Sequence, residues 1–153
     1  MEVAITIYKR GYNMIKKVLF LVFLGLTISS VQAFDKNQVD LDKEFWGTWT
    51  LYNPQTKCTE VFNFKKPGAF IYQVNKKQLV GDFAVVRSNS SGLDLLMMNV
   101  KTDNKLEGCV GDQQDYSNVN IQLALKWTSP KRAEVCTDAE AKQCSGLFLM
   151  KSK

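Results

Sequence analysis

The chain has 153 residues, enough for one domain and not comfortably two, with a formal net charge of +5, four cysteines and no histidine. Without histidine, Ser–His and Cys–His nucleophile systems are excluded. Basic residues never run longer than two, as in Lys65-Lys66, Lys76-Lys77 and Lys131-Arg132, so a nucleic-acid-binding surface is not expected.

The first thirty-three residues have the three parts of a secretory signal. Met14-Ile15-Lys16-Lys17 supplies a positive start, residues 18–28 an uncharged apolar run of eleven, and Ser29-Ser30-Val31-Gln32-Ala33 small residues at Val31 and Ala33, where a signal peptidase reads. A spanning helix needs about 20 apolar residues. The expectation is therefore cleavage before Phe34 rather than a membrane anchor, and no cysteine stands near the site to carry a lipid. Translation starting at Met14 would give a signal of 20 residues, an ordinary length. Removal of Glu2, Lys9, Arg10, Lys16 and Lys17 leaves a mature chain, 34–153, with a charge of about +2. The mature protein is expected outside the cytosol, periplasmic or secreted, in a bacterium.

From Phe34 onward the chain is a series of short apolar alternations separated by turn formers. A helical turn is expected near residues 40–44, then strands over 46–52 and 58–64, the second with Phe62 and Phe64 on one face. Lys65-Lys66-Pro67-Gly68 is a tight turn into 69–74, where Phe70, Tyr72 and Val74 share a face. Asn75-Lys76-Lys77 turns again into 79–87, and Ser88-Asn89-Ser90-Ser91-Gly92 leads to 93–101. That strand is apolar on both faces: Leu93, Leu95 and Met97 on one, Leu96, Met98 and Val100 on the other. The longest loop, 102–118, is polar. Residues 119–127 show the cleanest period-two alternation, and 133–136 and 146–150 are the last strands, with a short helix possible over 138–142. Eight strands at hairpin spacing predict an all-β domain, an antiparallel up-and-down barrel or a sandwich.

All four cysteines, Cys58, Cys109, Cys136 and Cys144, fall in the mature part, and an even count in an exported chain reads as two disulfides. A zinc site is the alternative, but it would have neither histidine nor a C-x-x-C. Three pairings are open; Cys136–Cys144 with Cys58–Cys109 is preferred because only seven polar or small residues separate the first two.

Gly47-Thr48-Trp49 at the start of the first strand, with an eight-strand meander after it, resembles the calycin superfamily of lipocalins, fatty-acid-binding proteins, avidins and small bacterial protease inhibitors. The resemblance implies that Trp49 plugs one end of a lipocalin-like barrel, beneath a basic residue of the last strand. Lys151 stands there in place of the usual arginine.

No cofactor, metal or catalytic set is expected: there is no phosphate-cradling loop, and the cysteines are taken by disulfides. Glu60 shares a face with Phe62 and would have a raised pKa if it pointed inward. Asp103, Asn104, Glu107, Asp112 and Asp115 crowd the long loop, with a spacing that does not match a calcium hand. A solvated acidic loop clamped at Cys109 suits docking onto a basic protein. The first functional expectation is thus a non-enzymatic inhibitor or immunity-type protein acting on an envelope or secreted enzyme or toxin. The alternative, implied by the resemblance, is a carrier of a small hydrophobic ligand, with Phe62, Phe64, Phe70 and Tyr72 as interior candidates and Met97 or Met98 beside them. In so short a chain, a core filled by its own side chains is favoured over a hollow one.

Overall fold

In the computed structural model, which describes residues 33–111, 113–137 and 143–153, the chain forms a closed antiparallel barrel of eight strands in sequential order. The strands are β1 (Gly47–Asn53), β2 (Cys58–Lys65), β3 (Ala69–Val74), β4 (Lys77–Arg87), β5 (Asp94–Asp103), β6 (Asn120–Ser129), β7 (Arg132–Cys136) and β8 (Cys144–Lys151). Trp49 pairs with Lys151 and Leu51 with Leu149, which closes β1 onto β8 and removes the sheet edges. The architecture is the barrel rather than the sandwich. The signal-type segment and the helix expected over 138–142 fall on residues outside those described.

Two strand limits differ from expectation in ways that bear on the site. Asn75 adopts a left-handed φ of 51° and lets the hairpin turn one residue early, so Lys77 opens β4 instead of ending the turn. Lys77 is then in phase with Leu79 and Phe83 and points inward, with the ammonium buried. At its far end β5 runs on to Asp103, because the ladder continues from Val80↔Thr102 to Leu79↔Asp103 past a bulge at Val80/Gly81. Gly81 permits that bulge: a Cβ there would stand 1.9 Å from the Asn99 carbonyl oxygen.

The ambiguous strand also resolves. Leu96, Met98 and Val100 are the inward set on β5, while Met97 is exposed. Leu93 and Leu95 face out, where Ala124 and the Cys136–Cys144 bridge cover them in a second small apolar cluster. Both disulfides pair as preferred, Cys58–Cys109 and Cys136–Cys144, and there is no free cysteine.

One end of the barrel is filled. A 3-10 turn (Lys36–Gln38) and a one-turn helix, α1 (Leu41–Glu44) capped by Asp40, lead the chain across this end and insert Phe45 between the strands. The Phe45 ring lies 4.8 Å from Phe64, 5.5 Å from Trp49 and 5.8 Å from Phe83, with Trp127 edge-on at 6.4 Å. The Trp49 indole N–H donates to the Phe45 carbonyl at 2.8 Å, and the Lys151 ammonium lies 6.0 Å from the Trp49 ring centroid. Beneath this aromatic layer Asp94 is fully buried; its carboxylate accepts from Trp127 Nε1 at 2.9 Å, Arg87 Nη2 at 3.2 Å and Lys36 Nζ at 3.4 Å. Lys36 also donates to the carbonyls of Ser88, Ser91 and Leu93, which ties the N-terminal segment to the β4–β5 loop.

Two stability predictions follow from these cross-ties. In Asp94→Ala, two largely buried cations lose their shared carboxylate, and unfolding free energy in urea should fall by about 3 kcal/mol. Chain entropy makes the 51-residue separation of Cys58–Cys109 worth about 4 kcal/mol against about 2.5 for the eight-residue Cys136–Cys144. Non-reducing denaturation of the two double Cys→Ser variants should therefore show the Cys58/Cys109 pair to be the more damaging loss. A larger loss from opening the short loop would contradict that ordering.

Candidate functional site

The end of the barrel opposite the aromatic layer is not filled. A cavity of about 350 Å³ lies there, walled by Phe62, Phe70, Tyr72, Leu79, Met98, Ile121 and Leu123 from five successive strands, β2 to β6. That volume is at the small end of ordinary ligand pockets, and the mostly apolar wall with few polar groups is typical of them. The expected filled core is thus corrected to a barrel filled in one half and hollow in the other. Of the interior candidates, Phe62, Phe70 and Tyr72 line the cavity, whereas Phe64 belongs to the aromatic layer.

The long loop folds over the mouth of this cavity. Gly108, Cys109, Val110 and Tyr116 form its inner side. Hydrogen bonds to the β3–β4 hairpin hold it there. Asn104 donates from Nδ2 to the Lys76 carbonyl at 2.8 Å and accepts from the Gln78 N–H at 3.0 Å, extending the ladder past β5. Asn75 Nδ2 donates to the Gly108 carbonyl at 3.1 Å, and the Cys58–Cys109 bridge ties the loop to the start of β2.

Among the described acidic residues of the loop, Asp103, Glu107 and Asp115 each stand beside a lysine. Asp103 is at the end of β5, with its side chain buried against Lys77 Nζ at 3.1 Å, because its position in the ladder turns it inward. Burial alone would raise its pKa, but the backbone N–H groups of Tyr116 and Lys105 and the Lys77 ammonium outweigh that and hold it below the usual carboxylate value. Glu107 is 3.4 Å from Lys76 and Asp115 is 3.0 Å from Lys105. Asp115 is held well below its ordinary pKa by the hydroxyl and N–H of Ser117 and by Lys105. Asp112 lies outside the described residues.

Two charged side chains line the cavity, Lys77 and Glu60. Lys77 is engaged on all sides: two Asp103 oxygens, the Gln114 carbonyl at 2.8 Å, and the Tyr116 ring 5.1 Å away. Glu60 lines the wall beside Phe62 and Tyr72. Burial pushes its pKa up, and a hydrogen bond from the Tyr72 hydroxyl opposes the shift only in part. Among the described residues no group of His, Cys, Asp and Glu is arranged to hold a metal, and no helix is long and apolar enough to cross a membrane.

Sequence reasoning missed Lys77, Tyr116 and the loop's role as a cover. The phase of Lys77 with Leu79, Gly81 and Phe83 was a usable signal; the path of the loop had none beyond Cys109. A scan against protein-family models finds no match, and searches of the curated proteins and of the solved structures likewise find none.

The raised pKa of Glu60 has a thermodynamic consequence. Its ionisation is opposed in the folded state, so the native protein loses stability as pH rises from below the ordinary value of 4.5 through the raised one. Glu60→Gln should therefore melt a few degrees higher than the parent at pH 7, on the order of 1–3 °C, and the gap should close below pH 4. An unchanged or lower melting temperature at pH 7 would show that the carboxylate is not opposed by burial.

Proposed function

We propose that this chain is an exported, calycin-like barrel that binds a small, mainly apolar molecule in its open half and performs no chemistry on it. The observation that carries this reading is the 350 Å³ cavity above a floor of packed aromatic rings. A chain that needed the barrel only as a scaffold would gain by filling this space, since side-chain packing stabilises and voids cost contacts. The Trp49–Lys151 arrangement at the closed end supports the calycin likeness. The signal-type N-terminus and the two disulfides support an oxidising, extracytosolic compartment, periplasmic or secreted.

One observation favours the protein-binding reading, an inhibitor or immunity-type domain for an envelope enzyme or toxin. Val110, which borders the cavity yet is 71% exposed, and the exposed Leu106 give the clamped loop an apolar surface. The loop's ion pairs reduce the electrostatic attraction such docking was expected to use.

The test is ligand binding by the purified mature protein. An apolar fluorophore that brightens in dry surroundings should bind at one site per chain, and Ile121→Trp, which places an indole in the cavity, should weaken it at least about 10-fold. Fluorophore binding that is equal in the parent and Ile121→Trp would overturn the cavity reading.

A further inference from the structure

We propose that the occupant of the cavity is a cationic amine on an apolar body, and that Glu60 is the carboxylate that receives its charge. This rests on the cavity-binding reading and deepens it.

The argument is an inventory of charge around the cavity. Two carboxylates and one ammonium belong to its polar surroundings: Glu60, Asp103 and Lys77. Lys77 and Asp103 neutralise each other at 3.1 Å, and the remaining donor capacity of Lys77 goes to the Gln114 carbonyl at 2.8 Å. Asp103 in turn accepts from the N–H groups of Lys105 at 2.7 Å and Tyr116 at 2.8 Å. That pair therefore has little left to offer an arriving ligand. Glu60 differs. It sits on the cavity wall in phase with Phe62 and Phe64 and opposite Leu51 on β1. Among the described residues no ion pair includes it, and the hydrogen bond that bears on its charge is that of the Tyr72 hydroxyl.

A carboxylate placed in an apolar wall is costly unless a cation pairs with it, and a cationic ligand would supply that pairing. Where water is scarce, opposite charges attract more strongly than in bulk solvent. An amine with an apolar body meets both demands, for its tail fills the cavity while its ammonium pairs with Glu60. Phe62, Tyr72 and Tyr116 present rings near the same space, and ring faces also favour cations. A fatty acid or other carboxylate would face Glu60 as a like charge and would find Lys77 already taken. The raised pKa of Glu60 has the same origin as this selectivity: burial opposes its charge, and no cation answers it.

The experiment uses three ligands with one body: octylamine, 1-octanol and octanoate. Each is titrated calorimetrically into the mature, disulfide-intact protein at pH 7.5 and 0.15 M salt. Octylamine should bind at least about 10-fold more tightly than 1-octanol, and octanoate more weakly than either. In Glu60→Gln the ratio of amine to alcohol affinity should collapse toward one, with 1-octanol as the internal control. Glu60→Asp, which keeps the charge on a shorter stem, should retain part of the preference, and its circular dichroism should match the parent's. If 1-octanol binds and Ile121→Trp blocks it, but the parent shows no preference for the amine, or Glu60→Gln keeps that preference, the amine assignment is wrong and the cavity reading stands. If none of the three ligands binds the parent, the cavity reading fails and takes this proposal with it.

Discussion

The interior of an eight-stranded barrel is only about as wide as the side chains pointing into it, and what this protein can do depends on where its bulk is placed. Phe45 settles that. It comes from outside the sheet, on the segment that crosses one end, and packs against Trp49, Phe64, Phe83 and Trp127 in one aromatic cluster. Its backbone carbonyl accepts the Trp49 indole proton, so the plug and the first strand hold each other in place. With the largest rings concentrated in one half, the other half is left to Phe62, Phe70, Tyr72 and aliphatic residues, which line the wall but do not reach across the space.

Charge follows the same division. At the closed end, Asp94 is compensated by Lys36 and Arg87 and by the Trp127 indole, and the N-terminal segment is anchored through it. At the open end, Lys77 and Asp103 form a buried pair that fixes the start of β4 to the end of β5 just where the cover begins. Each of these groups answers a structural need. Glu60 is the carboxylate in this scheme whose charge the fold does not answer, and it is the one on the cavity wall.

Much of the barrel could be read from period two alone. The alternation in β6 and the Phe70-x-Tyr72-x-Val74 pattern in β3 give strand, face and register together, because a slip of one residue would turn every apolar side chain outward. β5 could not be read so, since it is apolar on both faces; the outward Leu93 and Leu95 are covered by a disulfide cluster that no local pattern announces. Beside Lys76, Lys77 reads as part of the turn, although its phase with Leu79 points inward. The ion pairs of the acidic loop are hidden from sequence for a related reason. Composition counts charges but not partners, and the lysines that pair with Asp103 and Glu107 come from the β3–β4 hairpin, some 26 and 31 residues away in the chain. Non-local pairing of this kind is what separates a list of candidate residues from a site.

The Cys58–Cys109 bridge brings these observations to one place. Cys58 precedes Glu60 by two residues on the same face of β2, and Cys109 is in the middle of the cover. One covalent link therefore fixes the cover to the strand that carries the cavity's uncompensated carboxylate. Without it the loop would be held to the barrel by a few hydrogen bonds from Asn75 and Asn104 and by Lys77 and its partners. Such contacts open far more readily than a chain shortened by a cross-link. The link forms only where thiols are oxidised. A cover that matures with the disulfide thus ties the shape of the binding half to the compartment the N-terminal segment is expected to reach, so a chain still in the reducing cytosol would have the barrel but a loosely held mouth.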